Sequence, residues 1–215
     1  MAEGRVVIAE AQTEGGGRGG RRWHSGVGGL YMTVVLRPMS AVSLIPLMAG
    51  VAISDAIRDT ADIDAWLKWP NDVLIDGRKV GGVLAESAWF QGELIHILLG
   101  IGVNLNNLLP PSLTEATTLS NEIGEEIDIT RFIQELLLRL GNGLDLLKYE
   151  PCRILEAWRG RSSTLGRRVE VVISPSETVS GIAVDVNQDG ALILDVGGRS
   201  RPVLSGSLRG AIVKF

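Results

Sequence analysis

The sequence predicts an α/β (α+β) protein: a mixed β-sheet with flanking helices, followed by a small C-terminal β-barrel. Three observations predict it. Up to about residue 164, short β-branched runs are interspersed with segments of helical apolar spacing. After Leu165 the texture changes to short β-rich runs separated by turn residues, the pattern of a small barrel. The chain has 215 residues, 45% of them apolar and 21% charged, enough for a catalytic-sized core and a satellite. The expected units are residues 1–164 and 165–215, with the boundary near Thr164 and no low-complexity linker between them.

Taken in order, Val6 to Ala9 is a β-branched run read as a buried strand. A glycine-rich segment follows from Gly15 to Gly29, and Leu30 to Leu36 resumes strand character. Ser43 to Arg58 spaces Leu44, Leu47, Met48, Val51 and Ile57 as a helix does. Ala65 to Trp69 reads as a strand ended by Pro70, which cannot donate to a sheet ladder. Val73 to Ile75 and Lys79 to Glu86 flank Asp76-Gly77, a pair suited to a tight hairpin. Glu93 to Val103 is a long apolar strand after a turn at Gln91-Gly92. Thr130 to Tyr149 reads as a helix capped by Thr130, with Phe132, Ile133, Leu136, Leu137, Leu140 and Leu144 on one face. Pro151 to Arg159 continues as another helix. The barrel strands are Arg168 to Ile173, Val179 to Val186, Ala191 to Val196 and Ser200 to Leu204, with a turn at Gln188-Asp189-Gly190.

Bulk properties narrow the chemistry. A net charge of −4 argues against a broad nucleic-acid face, so phosphate binding would need a local basic cluster. The single cysteine, Cys152, excludes an internal disulfide and a cysteine-built metal site, as suits a reducing cytosol. Met1 to Glu14 is polar and is no secretory signal. The longest uncharged stretch, Pro38 to Ser54, is shorter than the ~20 apolar residues of a membrane span. A soluble, cytoplasmic protein is expected.

The segment Gln12 to Trp23 admits several readings. Gly15, Gly17 and Gly20 match the dinucleotide fingerprint, but a strand-like run follows where that fingerprint needs a helix. A phosphate loop of the nucleotidase type needs a terminal Lys-Ser or Lys-Thr, which is absent. A third reading is a loop that grips anions. Its glycines let backbone amides approach, Arg18, Arg21 and Arg22 offer planar forks, and Trp23 offers a flat face for a ring. On composition alone, a solvated basic loop competes equally with it.

Three further clusters lie in strands or at their ends. Lys68-Trp-Pro-Asn-Asp72 sets a cation, an amide and a carboxylate together, although Pro-Asn-Asp is also a plain turn sequence. Lys79-Val-Gly-Gly-Val-Leu-Ala-Glu86 carries two glycines in an apolar strand, which suggests close approach to the backbone. Gly100-Ile-Gly-Val-Asn-Leu-Asn-Asn107 repeats the theme, with asparagines emerging at a strand's end. His24 and His96 lack companion ligands in metal spacing and read as structural.

In order and spacing, these four clusters resemble the biotin–protein ligase family, and the resemblance covers essentially the whole chain. It implies a sheet like that of class II aminoacyl-tRNA synthetases and an SH3-like terminal barrel. It also implies two steps: biotin and Mg-ATP form biotinyl-5′-AMP, and a carrier lysine then takes the biotinyl group. By motif, Lys79, Arg18 and Asp72 would be catalytic. Gln12, Gly15, Arg18, Lys79 and Gly82 would hold biotin, while Arg21, Trp23, Asn71 and Asn104 would hold the nucleotide and its metal. No dedicated metal ligands are implied, and Mg2+ would come with ATP. The implied partner is a biotin carboxyl carrier protein domain; DNA and membrane are not expected, and a homodimer is compatible.

Two departures stand out. Glycines occupy positions 16 and 19, where relatives often carry basic residues, so ordering the loop should cost more entropy. Relatives also open with a strand and helix whose Ser-Thr-Asn motif completes the ureido pocket, whereas here Met1 stands just before the Val6 strand. That part of the pocket, and the helix-turn-helix of the family's repressor branch, are expected to be absent. The alternatives are a lipoate or octanoyl transferase, which would lack the glycine–arginine–tryptophan loop, and a degenerate non-enzymatic homologue that binds biotin or carrier.

Overall fold

A computed structural model describes residues 4–37 and 41–209. The outermost residues of both expected units, and the first three of the uncharged stretch opening at Pro38, lie outside the described residues.

The larger sheet has the order β1-β2-β6-β5-β4-β3. Its strands are β1 (Val6–Ala9), β2 (Leu30–Leu36), β3 (Trp66–Lys68), β4 (Asp72–Ile75), β5 (Arg78–Phe90) and β6 (Glu93–Val103). Adjacent strands run antiparallel. Among the described residues, parallel contacts are confined to the single bridges Leu67 to Ser162 and Lys79 to Ala116. Two turns close as their residues demand: Asp76-Gly77 and Gln91-Gly92 both have φ > 0, as a two-residue hairpin turn requires.

Register decides which side chains meet. Across β2, β6 and β5, Met32, Ile101 and Val83 align, as do Leu30, Val103 and Gly81. These share one face, and helix α1 (Ile45–Ala61) packs over the sheet there, with Ile53 nearest Gly81. The other face aligns Tyr31 with Gly102 and Gly82, and Thr33 with Gly100 and Leu84. Of the glycine pair in β5, one therefore admits the helix and the other opens the opposite face.

Helix α3 (Ile129–Tyr149) and α4 (Pro151–Gly160) pack outside α1, burying Phe132, Leu136, Leu140, Ile154, Leu155 and Trp158. Full burial of one such side chain contributes about 1.5–3 kcal/mol. The cap of α3 is Asp128 rather than Thr130: its Oδ1 accepts from the Arg131 amide at 3.0 Å. The carboxylate wins because the helix begins one residue earlier than periodicity indicated.

The second sheet has the order β10-β9-β8-β7-β11, formed by β7 (Arg168–Ser174), β8 (Glu177–Val186), β9 (Leu192–Val196), β10 (Arg199–Val203) and β11 (Ser207–Arg209). It is seated on the first unit. Trp69 Nε1 donates to Gly190 O at 3.0 Å, and the Trp69 amide donates to Thr164 Oγ1 at 3.0 Å. Gly190, at φ +74, lies against Leu44 and Leu47, where a Cβ would stand 3.1 Å from a Leu44 methyl. Arg159 of α4 forks onto Asp185 of β8.

Three further expectations change. β1 is not buried: Val6, Val7 and Ile8 are exposed, because this strand forms the sheet's edge. β5 runs four residues past Glu86, since its pairing with β6 continues to the hairpin turn. Strand β11 and the short helix α2 (Leu119–Ile123) were not foreseen, being too short for a periodic signal.

Candidate active site

The glycine-bearing face of the large sheet floors a cavity of about 500 Å3. Gln12, Arg18, Arg21, Trp23, Asn71, Lys79, Gly82 and Asn104 all line it. They come from four sequence clusters, and antiparallel register is what gathers them. Asp72 joins through Lys79, whose Nζ lies 2.5 Å from Asp72 Oδ1. Gly15 does not face the cavity. It is buried beneath the loop, where a Cβ would stand 2.6 Å from Trp23 O, so its part is to let the loop close on itself. Lys68 lines no part of it.

The glycine–arginine loop is a small hairpin, not an open strap. Gly17 N donates to Arg21 O at 2.7 Å, and Trp23 N donates to Gly15 O at 2.8 Å. At its base the Gln12 amide donates to Ser25 O, and Ser25 Oγ donates to Gln12 Oε1 at 2.8 Å, fixing the carboxamide. The tip is tied to the second sheet: Arg18 Nη1 donates to Gly206 O at 3.1 Å. Burial and the neighbouring Arg21 charge lower the pKa of Arg18, opposed by Asp72. A guanidinium remains charged at neutral pH regardless.

Trp23 lies on the glycine bed. A Cβ on Gly102 would stand 2.7 Å from Trp23 Cε2, and one on Gly82 would stand 3.2 Å from Trp23 Cζ3. Lys79 Nζ is 5.1 Å from the indole centroid, within cation–π range. The indole Nε1 is buried there without a hydrogen-bond partner. Lys79 is thus held between a carboxylate and an aromatic face, with its ammonium bordering the cavity.

A strap of residues 115–119 fixes the strand ends that carry Lys79 and Asn104. Lys79 N donates to Glu115 O, Thr117 N donates to Lys79 O, and Leu119 N donates to Asn104 O. Asn104 Nδ2 donates to Thr117 O at 3.1 Å, and Asn104 Oδ1 accepts from Asn107 Nδ2 at 3.3 Å. Thr117 Oγ1 bonds the carboxylate of Glu122, which also takes Arg78 Nη2 at 2.7 Å. Asn104 is 3% exposed, so much of its polar capacity is spent inside the protein. Among the described residues no group of three or more His, Cys, Asp or Glu is placed to hold a metal ion. A magnesium ion arriving with triphosphate keeps most of its ligands as waters and phosphate oxygens, and the Asn104 carbonyl could add one more.

Tyr31, Thr117 and Glu122 were missed from sequence. Tyr31 donates to Gly26 O at 2.7 Å, and burial pushes its pKa up to about 12. It is one aromatic in an apolar strand, and only register puts it beside Gly102. Thr117 and Glu122 belong to no motif. His24 Nε2 lies 3.2 Å from Leu108 O, tying the loop's exit to the β6–α2 connection, and His24 also borders the cavity.

Comparison with known proteins agrees with this geometry. The Biotin/lipoate A/B protein ligase family matches residues 1–104, and the Biotin protein ligase C terminal domain matches residues 164–207. The biotin–[acetyl-CoA-carboxylase] ligase of Mycobacterium tuberculosis is 34% identical over 96% of this chain and 79% of its own. The bifunctional ligase/repressor BirA of Bacillus subtilis is also 34% identical; the chain spans 62% of that relative's length. The solved biotin protein ligase of Aquifex aeolicus, in complex with biotin and ATP, superposes with a TM-score of 0.87 at 29% identity, covering 97% of this chain and 90% of that one. None of the described helices is long and apolar enough to cross a membrane. On matched sequence, matched fold and the assembled cavity, the chain belongs to the biotin protein ligase family.

Proposed function

We propose that this protein is an ATP-dependent biotin–protein ligase acting on a lysine of a biotin carboxyl carrier domain. The supporting observation is the cavity itself. One concave surface joins a glycine bed, four cations (Arg18, Arg21, Arg22 and Lys79), and the indole of Trp23. A mixed anhydride of a carboxylic acid and AMP needs these features: cations where negative charge concentrates, and flat apolar faces for the rings.

In the first step a biotin carboxylate oxygen attacks the α-phosphorus of ATP, and pyrophosphate departs with the electron pair of the broken P–O bond. Lys79 brings its charge to both carboxylate and α-phosphate, and its ion pair with Asp72 supports that role. Arg18 and Arg21 grip the phosphates. Gly82 and Gly102 let the Trp23 indole bed against the sheet, which leaves room above it for the substrate, and Gln12, oriented by Ser25, offers its amide to the ureido ring. In the second step the carrier amine attacks the acyl carbon, AMP leaves, and Asp72 takes the amine proton.

The test supplies biotin and ATP and follows pyrophosphate, then adds a carrier domain and follows its biotinylation. Biotin-dependent pyrophosphate release and a biotinylated carrier are expected. Binding of biotin without pyrophosphate release would refute the proposal in favour of a degenerate binding protein. Lipoate used in place of biotin would place the chain with the lipoate branch.

A further inference from the structure

Asn107 is a buried side chain with no part in the chemistry proposed above. It is 2% exposed and is not among the residues that line the cavity. Its Nδ2 donates to Asn104 Oδ1 at 3.3 Å, while its own Oδ1 is buried without a hydrogen-bond partner. An unpaired buried amide oxygen destabilises the fold, and a leucine of similar volume would avoid that penalty. The preceding Asn106, by contrast, spends both ends of its amide on Ile127, donating to Ile127 O and accepting from Ile127 N at 2.9 Å each. Asn107 keeps one contact that a leucine could not make, the bond to Asn104.

We propose that Asn107 is a positioning residue: it holds the Asn104 carboxamide in the orientation that accepts the 6-amino group of adenine and turns away a 6-oxo purine. The inference rests on the function proposed above and adds to it the residue that sets base selectivity.

The cavity separates phosphate from base by its chemistry. Arg18 and Arg21 stand beside the second sheet, reaching Gly206 O at 3.1 Å and Ser207 Oγ at 3.4 Å, and offer their charge to phosphates. Asn104 sits instead against the strap, its Nδ2 3.1 Å from Thr117 O. The strap and its approach contribute Leu109, Leu113 and Ala116 to the cavity wall, apolar side chains suited to a flat ring.

The order of the Asn104 amide is fixed from two sides. Thr117 O only accepts, so Nδ2 must face it; Asn107 Nδ2 only donates, so Oδ1 must face it. Turning the amide over would set oxygen against oxygen and N–H against N–H. Oδ1 has two acceptor positions and Asn107 takes one, which leaves one on a side chain that lines the cavity. An amino group meets that oxygen as a donor. A carbonyl in its place sets two desolvated acceptors together, a mismatch that discriminates strongly. The backbone frame is held separately, since Asn104 N donates to Val80 O and Leu119 N donates to Asn104 O. Asn107 therefore governs the orientation of the amide and not the place of the residue.

ATP and inosine triphosphate differ at the 6-position and the ring proton that it sets, so the ratio between them is the readout. Calorimetry measures equilibrium binding of each to wild type and to Asn107→Leu, and biotin-dependent pyrophosphate release measures the use of each. Wild type is expected to prefer ATP by about tenfold or more. Asn107→Leu is expected to lose roughly two- to tenfold of that preference, the contribution of one neutral hydrogen bond. Its melting temperature is expected to hold or rise, because the unpaired oxygen is gone; a generally damaged fold would lower both nucleotides alike. An unchanged ratio in Asn107→Leu would overturn the proposal. So would equal losses for both nucleotides, which would give Asn104 to the metal or the ribose, and so would a wild type indifferent to the base. A wild type that neither binds ATP nor releases pyrophosphate fails the functional reading itself, before any variant is compared.

Discussion

Gly102→Ala tests whether the glycine bed sets the position of Trp23. Gly102 has no positive φ, so alanine strains no backbone there, and the strand itself should accept it. The new methyl would stand 2.7, 2.8 and 3.0 Å from indole Cε2, Nε1 and Cζ2, against ordinary contacts of about 3.5–4.0 Å. Either sheet or ring must yield by about 1 Å, and the ring, on a glycine-rich hairpin, yields first. Overpacking of this kind costs about 1–3 kcal/mol. Part is recovered because the displaced indole exposes Nε1, which is unpartnered on the bed. A net of about 1–2 kcal/mol corresponds to a five- to thirtyfold loss of affinity for a biotinyl-AMP analogue. Calorimetry on wild type, Gly102→Ala, Trp23→Ala and the double variant measures this as a coupling. The methyl should cost nothing once Trp23 is gone. An equal cost with and without the indole would refute the reasoning.

Other predictions test separate parts of the structure. Lys79→Ala should lower biotin-dependent pyrophosphate release by roughly 10²–10³-fold while changing equilibrium nucleotide binding much less. Equal losses in rate and binding would make Lys79 a mere binding group. Thr117→Val leaves the carboxylate of Glu122, itself only 8% exposed, without its hydroxyl donor. Thermal unfolding should show a loss of about 1–3 kcal/mol, and an unchanged melting curve would mean the strap does not depend on this bond. Tyr31 gives a pH signature. Its folded-state pKa is raised to about 12 by burial, above the unfolded value near 10. Its linked stabilisation is therefore fully present below about pH 10 and is lost as pH rises through about 12. Tyr31→Phe should remove that alkaline dependence, at a constant loss of about 0.5–1.5 kcal/mol from the bond to Gly26 O. Parallel alkaline profiles for the two proteins would show that Tyr31 is not buried as described.

The sequence alone determined the local structure and the chemistry available. Periodicity placed β2 and β6 at their observed limits, because long β-branched runs bounded by turn residues have few other solutions. Motif order supplied Lys79, Arg18, Arg21 and Gln12. Only the tertiary structure decided which residues act together. Pairing of β2, β6 and β5 turned Gly82, Gly100 and Gly102 to one face and Gly81 to the other, and a one-residue slip would have exchanged them. The strand expected to be buried became an exposed edge, since burial depends on neighbours that the run itself does not encode. Ties such as Arg18 to Gly206, Trp69 to Gly190 and Asn104 to Thr117 join residues with no common motif. Long-range hydrogen bonds of this kind leave no periodic trace in a single sequence, yet they hold the loop, the second sheet and the strand ends around one cavity.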